Sequence, residues 1–107
     1  MFSIKECSMA LQMDPDGAET RALAAATEWE GKKVLEIGCG AGRLTLRLAT
    51  LGPERIEALD PDPDQIKAAR DALPQAEKFR IRYRLGQAES LSYRPGEFDI
   101  AVFSWAL

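Results

Sequence analysis

Histidine is absent from this 107-residue chain. That removes the side chain most often used as a general base near neutral pH, together with a common metal ligand. Cysteine is scarce: Cys7 and Cys39 stand far apart and in no ligand spacing, so they build neither a disulfide framework nor a metal site. This usage fits a reducing compartment, and a cytoplasmic protein is expected. Long apolar runs are missing as well. Lys5 and Glu6 interrupt the first thirteen residues where a signal peptide needs an unbroken apolar core, and no later stretch has the length to span a bilayer. A basic excess is also lacking: the formal net charge is −3, so no global field draws the chain to anionic lipid or nucleic acid. Neither membrane nor nucleic acid is an expected partner.

What remains is ordinary globular composition, with 46% hydrophobic and 29% charged residues. A chain this short is expected to form one domain with a modest core. Residues 1–30 read as a lead-in. Asp14-Pro15-Asp16-Gly17 is a turn cluster, and Ala22, Ala26 and Trp29 then share a helical face. After Gly31, Val34-Leu35-Glu36-Ile37 is a short apolar strand that runs into glycines at 38, 40 and 42. Leu44, Leu48 and Leu51 recur at helical spacing until Gly52-Pro53 ends the pattern.

A second strand over 55–59 closes at Asp60-Pro61. The helix after it has Asp62 as N-cap, Pro63 in its first position, Gln65 completing a capping box, and Ile66, Ala69 and Leu73 as its buried stripe. The run 79–85 alternates, with Phe79, Ile81, Tyr83 and Leu85 on one face and Arg80, Arg82 and Arg84 on the other, as in an edge strand. Arginines there guard an edge against pairing or touch phosphate, and the first use is the commoner. Phe98 to Phe103 is nearly all apolar, as in a strand buried on both faces. Strands alternating with helices over short connections predict an α/β, doubly wound, Rossmann-like parallel sheet. Residues 31–107 carry it, and it is truncated after the fourth strand.

Ligands of such sheets bind outside the carboxyl ends of the strands, where the glycine loop lies. Gly38, Gly40 and Gly42 allow close approach to the backbone, but many nucleotide folds share that device. Two residues discriminate. A dinucleotide loop G-x-G-x-x-G wants a small residue where Arg43 stands, and Glu36 in front of the loop repels a pyrophosphate while attracting an ammonium or sulfonium. The helix start beyond the loop suits a carboxylate. Asp60, about twenty residues beyond the loop at a strand tip, suits the two hydroxyls of a ribose and excludes a 2′-phosphate.

The run Glu36-x-Gly38-x-Gly40-x-Gly42 resembles the first motif of class I S-adenosylmethionine-dependent methyltransferases. The resemblance extends through Asp60-Pro61-Asp62-Pro63, Gly86-Gln87-Ala88-Glu89-Ser90-Leu91 and Phe98-Asp99-Ile100-Ala101-Val102, so over residues 31–107. It implies S-adenosyl-L-methionine as cofactor. Glu36 and the loop, including Cys39, would hold its methionine end, Asp60 its ribose, and Pro61, Gln87 and Ala88 its adenine, with Ser104 and Trp105 bordering the methionine arm. Where the family usually has Asp, Gln87 accepts a hydrogen bond without the charge that strengthens it.

The family continues through three more strands. The chain is therefore expected to be the cofactor-binding part of a larger protein, with an exposed fourth-strand edge open to a partner chain and no nameable catalytic base. The methyl acceptor stays open. Several assignments have competing structural readings. Glu36 is costly as a mere strand end, Asp60 can form an Asx turn, and Cys39 serves as a small filler better than as a nucleophile without a base. Two other functions remain in play: an NAD-binding oxidoreductase fragment, and a non-catalytic interaction module.

Overall fold

A computed structural model of the chain describes residues 2–4, 19–87 and 96–104. Eight regular elements follow in order: strand β1 (Phe2–Ile4), helix α1 (Glu19–Ala26), β2 (Lys33–Ile37), α2 (Arg43–Ala49), β3 (Arg55–Asp60), α3 (Pro63–Ala72), β4 (Ile81–Leu85) and β5 (Ile100–Ser104), with a 3-10 turn at Gln75–Glu77 before β4. The sheet order is β1-β5-β2-β3-β4. Its four strands β5-β2-β3-β4 are parallel, so the expected α/β, Rossmann-like sheet is present.

The apolar strands are central for the reason their composition gives. In β2 only Lys33 is exposed, and Val34 to Ile37 are buried between the two sheet faces. On one face, Val34, Ile56, Ile81, Ile100 and Val102 pack under Leu23 of α1, Trp29, Leu44 and Leu48 of α2, and Ile66 and Ala69 of α3. Leu23, Leu48, Ile56 and Ile100 are each under 2% exposed, and burying such side chains stabilises by roughly 1.5–3 kcal/mol apiece. The opposite face carries Leu35, Ile37 and Leu59, packed with Phe98 and Phe103. Helix α3 begins as its sequence demands, with Pro63 first and the Asp62 carboxylate accepting from the Asp64 N–H at 2.9 Å. That bond reaches the second helical residue, one short of the capping-box geometry expected at Gln65.

Four expectations are corrected. The fourth strand occupies Ile100–Ser104 rather than 98–103. Its outer edge is not bare over its last three residues, because β1 pairs antiparallel with it, Ile4 opposite Val102 and Phe2 opposite Ser104. The partner-chain position inferred there is filled by the chain's own start, which a three-residue strand without alternation does not announce. In the lead-in, Leu23 is buried, Ala26 is half-buried and the side chain of Ala22 lies outside the described residues, while Trp29 is buried beyond the helix end, its indole N–H donating to the Leu23 carbonyl at 2.6 Å. Finally, β4 starts at Ile81. Phe79 is fully exposed and Leu85 largely so, leaving Ile81 and Tyr83 as the inward pair.

Arg80 explains the late start of β4. Its guanidinium donates to the carbonyls of Pro53 at 2.8 Å and Ala49 at 2.9 Å and to Glu77 at 2.6 Å, tying the turn before β4 to the end of α2. Arg82 and Arg84 lie against Glu57 at 4.0 and 3.4 Å, and both are exposed. Among the described strands β4 pairs with β3 alone, so the edge reading of these arginines holds.

Candidate functional site

The parallel strands deliver their carboxyl ends to one rim of the sheet. Leu85 pairs in register with Asp60, and the Gly86 N–H donates to the Asp60 carbonyl at 3.0 Å, bringing the ends of β3 and β4 together. The β2 end turns away through the glycine loop. There the N–H groups of Gly38 and Cys39 both donate to the Leu59 carbonyl, at 2.8 and 2.9 Å, lashing the loop to the tip of β3.

The three loop glycines have different jobs. Gly38, at φ +85°, passes so close to β5 that a Cβ would sit 1.8 Å from the Ser104 carbonyl oxygen. Gly42, at φ +90°, has the Tyr83 hydroxyl 2.5 Å from where a Cβ would lie. Gly40 also has a positive φ, +57°, but nothing lies within 4 Å of its missing Cβ. Two glycines are therefore imposed by packing, and the third leaves space on the side where a ligand can approach the backbone.

Asp60 bridges strand and loop. Its Oδ2 accepts from the Gly40 N–H and its Oδ1 from the Asp62 N–H, each at 2.9 Å. The Asx turn weighed against a ligand role is thus present, and the same carboxylate also orients the loop. Each oxygen keeps a lone pair for a further donor. Asp60 is partly exposed and Pro61 beside it exposed.

Glu36 lies deepest. The register Val102–Glu36–Ala58–Tyr83 turns it toward the helical face, where it is wholly buried. Thr45 in the first turns of α2 donates its hydroxyl to Oε1, and Ser104 donates to Oε2 at 3.2 Å. Burial raises its pKa to about 7; the two hydroxyls oppose that rise, and the nearby Asp60 adds to it. A carboxyl poised at neutrality in such a place is a functional-site signature. Cys39 is different: burial, then Glu36 and Asp60, push its thiol well above the usual range. It is a filler, its Sγ lying 3.6 Å from the Gly40 carbonyl oxygen.

Of the sequence-derived residues, Glu36, Gly38, Cys39, Gly40, Gly42, Asp60 and Ser104 are brought together by these bonds and contacts. Gln87 is exposed just past β4, next to the Asp60 tip. Ala88 and Trp105 lie outside the described residues. Sequence reasoning missed Thr45 and Tyr83. Thr45 was legible as the one polar residue on the buried face of a leucine-rich helix. Tyr83 was read as apolar face, yet its hydroxyl is the buried side-chain polar atom that finds no hydrogen-bond partner among the described residues. Two surface concavities flank β4, and neither is lined by a residue of the glycine loop. No described helix is long and apolar enough to cross a membrane.

A family profile described as a methyltransferase domain matches residues 34–107. The chain is 44% identical over 75 residues to a ubiquinone biosynthesis O-methyltransferase of Methylocella silvestris, covering 68% of this chain and 28% of that protein. Among solved structures, an S-adenosylmethionine-dependent methyltransferase from Mesorhizobium loti superposes with a TM-score of 0.65 at 25% identity, over 78% of this chain and 36% of the other. The [4+2]-cyclase SpnF superposes with a TM-score of 0.66 at 29% identity, over 76% and 30%. The chain spans about a quarter to a third of the length of the curated relatives it matches.

Proposed function

The chain belongs to the class I S-adenosylmethionine-dependent methyltransferases, and from that premise we propose that residues 31–107 bind S-adenosyl-L-methionine for methyl transfer in a cytoplasmic protein, with residues 1–30 as a lead-in. The observation that carries this reading is the pairing of a buried carboxylate just before the glycine loop, Glu36, with a second carboxylate, Asp60, that holds the N–H of Gly40, where the backbone is open.

The fit is chemical. Glu36 suits the ammonium of the methionine end, and Asp60 suits a ribose diol through the lone pairs left over from its two backbone bonds. Glu36 in front of the loop repels a pyrophosphate, which disfavours an NAD-dependent role, whereas Asp60 suits the ribose of either cofactor. Because Ser104 is only partly buried and occupies the second oxygen of Glu36, an ammonium reaches that charge beside or in place of the Ser104 hydroxyl. Gln87 and Pro61, both exposed, are assigned to the adenine by the family resemblance. When bound, the cofactor supplies an electrophilic methyl on a sulfonium. The protein's part is to position it, and positioning dominates an in-line displacement.

Calorimetric titration with S-adenosylhomocysteine tests the reading: saturable binding supports it, and a folded chain that binds NAD instead overturns it. A second reading, a site that holds the cofactor without spending its methyl, draws on the likeness to a protein named a cyclase. Transfer of labelled methyl to any acceptor by the protein would exclude it.

A further inference from the structure

Glu36 is buried in a cluster contributed by every layer of the rim. Thr45 comes from α2, Ser104 from β5, Asp60 from β3 and Tyr83 from β4, with Cys39 in the loop between. The charged and titratable groups facing it are Asp60, Cys39 and Tyr83, and all of them disfavour a second negative charge in that space or remain neutral. Helix α2 contributes to it the hydroxyl of Thr45, which is 0% exposed.

A hydroxyl in that position has a consequence beyond packing. Thr45 donates to an ionised carboxylate and can accept from a protonated one, but the first bond is the stronger because it is charge-assisted. With Ser104 partly open to the ligand side, Thr45 is the donor to Glu36 that a bound ammonium has no reason to displace. We propose that Thr45 is a positioning residue for cofactor binding: its hydroxyl holds the Glu36 carboxylate oriented and in its charged form, so that it sets the pH range over which the site takes a cationic methionine end. This rests on the proposed role of Glu36. Tyr83, buried with its hydroxyl beneath Gly42, lies against Thr45 on the other side of the cluster.

The test is the pH dependence of S-adenosylhomocysteine binding from pH 5.5 to 9, measured on the native chain and on Thr45→Val, Thr45→Ser and Glu36→Gln. In the native chain affinity rises with pH through about 7, where Glu36 is half ionised, and levels off roughly a unit higher, where it is ionised. Thr45→Val keeps the volume but loses the donor. Its profile moves to higher pH, with binding roughly tenfold weaker on the acid side and equal to native at the alkaline plateau, as expected for one charge-assisted bond. Thr45→Ser restores the native midpoint. An unshifted Thr45→Val profile, a uniform loss at every pH, or failure of the serine to rescue overturns the proposal. Native binding and an unchanged pH profile in Glu36→Gln would instead overturn the role of Glu36 on which it stands. Denaturant unfolding of each variant confirms that a folded protein is being titrated.

Discussion

Glu36 sits where its proton is held more tightly in the folded chain than in the unfolded one, since its pKa rises from 4.5 to about 7. Linkage then fixes the sign. Stability from this residue is fullest below the unfolded value and is lost as pH rises through the folded value. The loss by pH 8 is of the order of 3 kcal/mol. Glu36→Gln, which has no charge to bury, should therefore be more stable than native by about 1–3 kcal/mol at pH 8, with the gap closing toward pH 5. Urea unfolding at both pH values checks this, and a native protein as stable at pH 8 as the variant would contradict it. The same substitution should weaken S-adenosylhomocysteine binding, so that stability and affinity move in opposite directions. Asp60→Ala removes the acceptor for both Gly40 and Asp62. It should cost roughly 1.5–3 kcal/mol in S-adenosylhomocysteine affinity by calorimetry.

At the scale of elements, the glycine loop divides into scaffold and surface. Gly38→Ala places a methyl group inside the backbone of β5 and should prevent stable folding. Gly40→Ala meets open space, so only its left-handed backbone is penalised, by about 1–2 kcal/mol. It should fold, as circular dichroism would show, yet bind cofactor poorly because the methyl occupies the ligand's approach. The three glycines look alike in sequence. Their difference comes from Ser104 and Tyr83, residues distant along the chain, and no local pattern reports it. Arg80 teaches the same lesson in reverse. Alternation assigns it to an exposed stripe with Arg82 and Arg84, but its two carbonyl bonds make it a clasp between β4 and α2. Arg80→Ala should lower unfolding free energy by about 2–3 kcal/mol, whereas Arg82→Ala, at a 74% exposed side chain, should change it by no more than about 0.5 kcal/mol.

Over the whole molecule, the order of strands and helices from β2 to β5 was legible because apolar runs, glycine turns and helix caps agree with one another. So was the placement of two carboxylates, Glu36 just before a loop and Asp60 at a strand tip, which is a local matter. The sheet's outer strand was not legible. β1 is three residues long, and its place beside β5 is decided by ladder bonds across nearly the full length of the chain. Ser3→Pro puts a rigid ring into the middle of that three-residue ladder, where proline is poorly tolerated. Amide exchange at Val102–Ser104 should then accelerate while β2 and β3 keep their protection.

The measurement that bears most directly on the central claim is calorimetric titration of the native chain at pH 8 with S-adenosylhomocysteine, and separately with NAD. Saturable binding of the first, lost on Asp60→Ala, and no binding of the second is the predicted result. Binding of NAD with equal or greater affinity, or no binding of S-adenosylhomocysteine by a folded chain, would contradict it.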